Sequence, residues 1–178
     1  LFVYDYGALT LKQYKKNGEG LSLSSNYIQR IISDNNGVIY IGYDGMGLDV
    51  LDPFIKKFVT IKRNDPDDLK SLRFVRKIVE DDDGNLLMGT SSGLVKFNMH
   101  DRTFDFYNTK NVNESADNFI IDMIRVENEL WLGYNGSGID IMDIRTLKKT
   151  YHIGVGTEDN QISDGVIWSF LNDQQGNI

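Results

Sequence analysis

The chain has 178 residues, no cysteine and a formal net charge of −7. Its composition is that of an ordinary soluble globular core, and its charge argues against nucleic acid or anionic membrane as a partner, because both are bound through clustered Lys and Arg. Without cysteine, neither disulfides nor thiolate metal sites can form. The apolar runs are far shorter than the roughly 20 residues that cross a bilayer, so we expect no direct membrane contact.

One phrase recurs along the sequence. It reads VIYIGYDGMGLDVLD from Val38, NLLMGTSSGLVKFN from Asn85 and ELWLGYNGSGIDIMD from Glu129. The equivalent glycines are residues 42, 89 and 133, which are 47 and 44 residues apart. Recurrence at such a period indicates a repeat fold, in which each repeat is one small structural unit. The absence of an initiator Met and of a signal peptide suggests a segment of a longer chain.

In chain order, the sequence divides into five pieces of one architecture. Residues 1–20 match the end of a repeat, complete repeats follow at 21–62, 69–108 and 116–154, and residues 161–178 match the start of another. Each complete repeat predicts four short antiparallel strands. The first two are joined at Asn36-Gly37 or Asp83-Gly84, where Gly and Asn tolerate positive φ. A second glycine turn, DGMG or NGSG, leads to the third strand.

Four-stranded repeats of this length are typical of β-propeller blades. The predicted fold is therefore all-β: a β-propeller segment of about three whole blades plus two partial ones. A β-sandwich is the alternative, but it does not require the same turns at a fixed period. The first strands have apolar residues on both faces, as at Ile28, Ile31 and Ile32, so we expect both faces to be buried. Open sheet edges lead us to expect association of two chains or disordered ends more than a closed four-blade ring.

The repeats carry a family resemblance. LSSNYIQRIISDNNGVIYIGYDGMGLDVLDP and SLRFVRKIVEDDDGNLLMGTSSGLVKFN resemble the two-component regulator propeller repeat of bacterial hybrid two-component systems, especially Bacteroides-type ones, and ISDGVIWSFLNDQQGNI resembles its opening. Two departures are the third copy, which lacks the Asp-x-x-Gly turn, and Leu87, which stands where an aromatic is usual. The resemblance implies a periplasmic, non-catalytic sensor segment of a receptor with a histidine kinase. It also implies an oligosaccharide as the signal and a homodimeric parent.

An enzyme acting on polysaccharide and a purely structural scaffold are the alternatives. The only histidines are His100 and His152, both expected at the surface, and the Asp-rich turn at DDDG does not fit the EF-hand pattern. We therefore predict no catalytic residue, no metal and no cofactor. Asp34, Asp81 and Asp173 occupy one repeated turn position, so each is expected to bond the backbone N–H groups of its own turn.

The loops between the second and third strands form the predicted ligand site. Its residues are Tyr43, Asp44, Tyr134 and Asn135, with Thr90 and Ser91 at the equivalent place in the middle repeat. Such a set offers stacking surface, donors and acceptors to an oligosaccharide, on loops expected to share a face with the connections between blades. The alternative is that the tyrosines simply fill the turn. Tyr40 and Trp131 share another repeated position and are expected to pack between blades.

Overall fold

The computed structural model describes residues 1–17, 22–33, 37–43, 48–52, 57–61, 74–101, 103–107, 118–173 and 175–178. These residues form 14 β-strands and no helix, so the described part of the chain has no helical segment that could span a bilayer. The chain divides into two compact units, Leu1–Phe74 and Val75–Ile178. The all-β prediction is confirmed, while the exact limits of the repeats stay predictions.

The first unit contains one two-stranded and one four-stranded antiparallel sheet. The strands of the smaller sheet are β1 (Phe2–Asp5) and β2 (Thr10–Gln13), and those of the larger one are β3 (Ile28–Ser33), β4 (Ile39–Tyr43), β5 (Leu48–Asp52) and β6 (Lys57–Ile61). Leu23, Ile41 and Tyr43 form a buried cluster against which Leu1 and Tyr14 pack. The first strands are not always buried on both faces: Ile31 is 50% exposed, so that expectation is wrong here. A strand face is buried only where another sheet or loop covers it.

The second unit contains two further four-stranded sheets, each with its strands in sequence order. Their strands are β7 (Lys77–Glu80), β8 (Leu86–Thr90), β9 (Gly93–Asn98), β10 (Thr103–Tyr107), β11 (Ile120–Val126), β12 (Glu129–Tyr134), β13 (Ile139–Asp143) and β14 (Lys149–Ile153). One core cluster joins the two sheets, with Leu87 and Leu94 from the first and Ile120, Met123 and Leu132 from the second. One antiparallel sheet per complete repeat is therefore confirmed.

The repeated Asp-x-x-Gly turn is built in the same way in both described copies. Asp81 Oδ1 accepts hydrogen bonds from the backbone N of Asp83 at 3.0 Å and Asn85 at 2.8 Å, and Asp173 Oδ1 accepts from Gln175 and Asn177, both at 2.8 Å. Gly84 and Gly176 have φ of +79° and +88°, whereas Asp83 is not in the positive-φ region. This is a three-residue loop with a glycine bulge. The expected role of the aspartates is confirmed at these two positions, and Asp34 lies outside the described residues.

Charged and amide partners keep these turn carboxylates ionised. Burial by itself raises the pKa of Asp81, but hydrogen bonds from Lys96 and Asn85 outweigh it and hold that pKa below its usual range. The Lys96 Nζ atom lies 2.8 Å from Asp81 Oδ2. At Asp173, hydrogen bonds from the Asn177 side chain and backbone lower the pKa in the same direction. Each carboxylate is therefore ionised and accepts hydrogen bonds within its own hairpin.

The third complete repeat replaces this turn with a shorter one at some cost in strain. Val126 pairs with Glu129, which leaves Glu127 and Asn128 as the loop, and Glu127 has φ of +53°. A non-glycine residue with positive φ lowers the free energy of unfolding by roughly 1 kcal/mol or more. We expect Glu127→Gly to raise the free energy of unfolding by about 0.5–1 kcal/mol. Urea unfolding of the full chain checks this, with Glu129→Gly as a control that should be destabilising because Glu129 lies in β12.

Candidate functional site

The predicted ligand-site residues do not share one environment. Tyr43 and Tyr134 end β4 and β12 with 0% and 3% of their surface exposed, and Thr90 at the end of β8 is equally buried. Asn135 is exposed, whereas Asp44 lies outside the described residues. The two tyrosine rings are covered by protein and do not offer the open stacking surface expected of them. Their burial favours the alternative, in which they fill the turn, and oligosaccharide binding at this site stays a prediction.

Each buried tyrosine donates its hydroxyl to a buried aspartate. Tyr43 Oη donates to Asp49 Oδ2 at 2.6 Å, and Tyr134 Oη donates to Asp140 Oδ2 at 3.0 Å. Asp49 is 0% exposed and Asp140 3%. Ionised groups in such places are stable only when they are hydrogen-bonded, because burial removes their water. The repeated Tyr and Asp are therefore one structural unit that joins the end of a second strand to the third strand beside it.

The middle repeat lacks both members of this unit. Strand pairing matches Gly42 with Leu48 and Gly89 with Leu94, so Val95 occupies the place of Asp49 and Thr90 that of Tyr43. Thr90 Oγ1 instead donates to the carbonyl oxygen of Gly93 at 2.8 Å within its own loop. Our sequence reasoning missed the pair. The joint loss of Tyr and Asp in one repeat was the available signal.

Asp49 also fixes the segment that leads into its own sheet. Its carboxylate accepts hydrogen bonds from the backbone N of Ser24 at 2.8 Å and from Ser24 Oγ at 2.6 Å, in addition to that from Tyr43. Burial raises the pKa of Tyr43, and the hydrogen bond and negative charge of Asp49 raise it further. Tyr43 is therefore a neutral donor, as the buried carboxylate requires.

This raised pKa predicts an effect at alkaline pH. Tyr43 stays protonated in the folded chain but ionises near pH 10 when unfolded, so its contribution is complete below about pH 10 and is lost as pH rises further. Tyr43→Phe should cost about 1–2 kcal/mol at pH 7 and flatten the loss of stability above pH 10. Urea unfolding at pH 7 to 11 measures both. If the free energy of unfolding falls equally steeply above pH 10 in the original chain and in Tyr43→Phe, Tyr43 is not the group responsible. Tyr27→Phe is the control, because Tyr27 is 78% exposed.

Asp140 has a different second partner. His152 Nδ1 lies 2.7 Å from Asp140 Oδ1, and Lys149 Nζ lies 3.5 Å from the same oxygen. The His152 side chain is 40% exposed, and that of His100 is 95% exposed, so the surface placement expected for both is confirmed. A neutral imidazole that donates Nδ1–H to the carboxylate leaves Nε2 as an acceptor. Within the described residues, no group of three or more His, Asp or Glu side chains could hold a metal ion.

The loop after β12 holds the connections between repeats. Gly136 N and Gly138 N both donate to the carbonyl oxygen of Gly165, at 2.9 and 3.1 Å, and Asn135 N donates to that of Phe119 at 2.9 Å. In the third repeat the loop therefore contacts the connecting segments on both sides of the repeat, and a shared face in the other repeats stays a prediction. These three backbone donors are already used within the protein, so they are not available to a ligand. Tyr40 is fully buried, as is Leu87 at the same position of the middle repeat, whereas Trp131 is partly buried and makes an edge contact with Phe170. Packing of Tyr40 between blades stays a prediction.

No protein-family model matches the chain, and no curated protein matches its sequence. Solved structures do resemble it. The extracellular domain of BT3049, assigned to a hybrid two component system of B. thetaiotaomicron, matches 97% of this chain with TM-score 0.61 and 20% identity. Two structures of the extracellular domain of BT4673 from the same organism, assigned to a hybrid two component and to a one component system, match 87% with TM-scores of 0.65 and 0.63 and 21% identity.

The chain spans 28% of the BT3049 domain and 19% of each BT4673 domain. At this level of identity the likeness is one of fold. The structural neighbours of this chain are therefore extracellular domains of Bacteroides two-component systems, with which it shares an all-β architecture of antiparallel four-stranded sheets.

Proposed function

We propose that the chain is part of the periplasmic sensor region of a hybrid two-component receptor and that its sheets are β-propeller blades. The observation that carries this is the structural match to the BT3049 extracellular domain over 97% of the chain. The resemblance of the repeats to the two-component regulator propeller repeat supports the same proposal. In the receptor the segment acts outside the cytoplasm, as part of a homodimer, and the kinase lies elsewhere in the parent.

Packing within the second unit supports the proposal that the sheets are propeller blades. A Cβ atom on Gly89 would lie 2.7 Å from Ile120 Cγ2, and one on Gly133 would lie 2.6 Å from Ile167 Cγ2. Ile120 and Ile167 open successive repeats, 47 residues apart, so in these two cases the same position packs onto the same glycine of the preceding repeat. Identical contacts between successive repeats are what a propeller or another stacked repeat array requires.

We further propose that the receptor senses an oligosaccharide and that this segment is not catalytic. Asn135 is an exposed polar residue on a loop fixed by Gly165, a type of position at which proteins contact sugars. The described repeated aspartates accept hydrogen bonds from their own turns or from buried tyrosines, which supports a structural role for them. A scaffold role is the second candidate, favoured by the burial of Tyr43 and Tyr134.

Calorimetric titration of the complete extracellular region of the parent with plant and host oligosaccharides tests this. If these repeats hold the site, Asn135→Ala or Asp44→Ala should weaken binding about tenfold, and His100→Ala, at a 95% exposed side chain, should not. Binding that both changes leave intact would assign this segment the scaffold role. Failure of every sugar to bind would overturn the proposed ligand class, while a parent without a kinase would overturn the signalling role.

A further inference from the structure

His152 is held against a buried carboxylate in the fourth strand of the third repeat. It pairs directly with Asp140 across β13 and β14, and its Nδ1 atom lies 2.7 Å from Asp140 Oδ1. The other carboxylate oxygen accepts the hydroxyl of Tyr134 at 3.0 Å. Because a buried carboxylate requires donors, a neutral imidazole here carries its proton on Nδ1. The ring is therefore fixed in one orientation and in one tautomer.

The opposite nitrogen of this ring, Nε2, borders open space. The His152 side chain is 40% exposed, and no residue that the structure describes forms a hydrogen bond with Nε2. A Cβ atom added to Gly154 would lie 3.8 Å from both Nε2 and Cδ2 of the ring. Among the described residues it would meet no other atom within 4 Å apart from its own chain neighbours. The Nε2 edge is therefore an oriented acceptor that a ligand can reach.

The first repeat satisfies the equivalent buried aspartate without a histidine. Asp49 accepts hydrogen bonds from the backbone N and Oγ of Ser24, and the residue paired with it across the strands is Thr60. Aligning SSNYI with ADNFI places Ala116, which has no hydroxyl, at the position of Ser24. The aspartate itself needs only a donor, which a hydroxyl supplies. The third repeat has His152 instead, which adds a second nitrogen that the aspartate does not use.

The ring lies at the end of the sheet that carries the predicted ligand loop. Residues 135–138 connect β12 to β13, and Ile139, the first residue of β13, pairs with Ile153. A Cβ atom on Gly138 would collide with the carbonyl oxygen of Ile153, so the loop packs closely against the strand end next to His152. Exposed Asn135 belongs to the same loop. Both polar residues are therefore at one end of the third repeat.

We propose that His152 Nε2 accepts a hydrogen bond from a hydroxyl group of a sugar ligand, and that Asp140 positions the ring for this contact. The inference rests on the oligosaccharide-sensing function proposed above and names a contact residue for it. A hydroxyl is the matching partner because it donates to a neutral nitrogen acceptor without carrying charge. Lys149, whose Nζ lies 3.5 Å from Asp140 Oδ1, adds a cationic donor nearby.

The tautomer of His152 can be tested on the full chain without any ligand. Long-range proton–nitrogen correlation spectra at about pH 8, at which imidazoles are neutral, should show the proton on Nδ1 and none on Nε2. His100, whose Nε2 lies 3.8 Å from Asp101 Oδ1, is the internal control and should carry its proton on Nε2. A proton on His152 Nε2 would overturn the proposal, because that nitrogen could not accept.

Calorimetric titration of matched variants of the complete parent extracellular region tests the contact itself. His152→Asn keeps an N–H donor for Asp140 but removes Nε2, so the affinity for the sugar should fall about tenfold. Gly154→Leu fills the space beside Nε2 and should lower the affinity at least about tenfold. Tyr151→Ala should leave it unchanged, because this 50% exposed neighbour lies on the other face of the strand.

Urea unfolding of the His152→Asn chain should give the same midpoint as the original, because the donor to Asp140 is retained. A lower midpoint would assign the ring a structural role and overturn the proposal. Unchanged affinity in His152→Asn, or an equal loss in Tyr151→Ala, would overturn this contact while leaving oligosaccharide sensing in place. If the unaltered region binds none of the sugars, both the contact and the proposed ligand class are overturned.

Discussion

Replacing Asp49 with alanine is expected to lower the free energy of unfolding by about 3–5 kcal/mol. The Asp49 carboxylate is fully buried and accepts three hydrogen bonds, from Tyr43 Oη, Ser24 N and Ser24 Oγ. Alanine leaves three donors without this acceptor, at roughly 1–3 kcal/mol for a buried one and less for those that water can reach. Urea unfolding of the full chain at pH 7, followed by circular dichroism, measures the loss.

Asp5→Ala is the matched control. Asp5 Oδ1 also accepts two backbone hydrogen bonds, from Gly7 N and Ala8 N at 2.9 Å, but Asp5 is exposed, so water replaces the lost acceptor. Its replacement should cost no more than about 1 kcal/mol. If Asp49→Ala and Asp5→Ala lower the free energy of unfolding equally, the buried network contributes no more to stability than an exposed turn, which would contradict the role assigned to Asp49.

The middle repeat indicates how the loss at Asp49 can be reduced. It carries Val95 in the place of the aspartate and Thr90 in the place of the tyrosine, and both of its residues are buried. Removing both partners of a hydrogen bond avoids leaving one of them buried and unpaired, and in the double variant this applies to Tyr43 and Asp49, while the Ser24 donors still lose their acceptor. Tyr43→Phe combined with Asp49→Ala should therefore cost less than the sum of the two single changes.

Local features of this fold could be predicted from sequence, and features that depend on neighbouring elements could not. The turn at Asp81 was predictable because its side chain, its own backbone N–H partners and Gly84 lie within four residues. Tyr43 was placed in a ligand loop, but it is the last residue of β4, and a strand residue points inward or outward according to register. A shift of one residue in the expected end of the strand therefore reverses the conclusion.

Ile31 and residues 166–171 show how structure that depends on neighbouring elements escapes prediction from sequence. The apolar pattern at Ile31 resembles that at Ile78, yet the first is 50% and the second 6% exposed, because burial depends on what covers each strand. Residues 161–178 match the start of a repeat, and the turn at Asp173 forms as expected, but residues 166–171 have no strand assignment. A strand requires a hydrogen-bonded neighbour, which no pattern within the segment can provide.

Gly133→Ala is expected to lower the free energy of unfolding by about 2–3 kcal/mol, although alanine normally suits a strand better than glycine. The added Cβ would lie 2.7 Å from Ile167 Cβ and 2.6 Å from Ile167 Cγ2. A Cβ atom is fixed to the backbone, so the clash is relieved only if residues 166–171 move, and the contacts of Phe170 with Trp131 and Asp122 would then be lost.

A control variant and a double variant test the physical reason for this prediction. Gly154→Ala should alter stability by less than about 0.5 kcal/mol, because the nearest atom to its added Cβ is 3.8 Å away, on His152. Ile167→Ala combined with Gly133→Ala should cost less than the sum of the two, since the smaller side chain makes room for the Cβ. Additive costs in urea unfolding would mean that Ile167 does not occupy the space at Gly133. The repeated glycine would then serve strand geometry alone, and the contact that links one repeat to the next would have to be sought elsewhere.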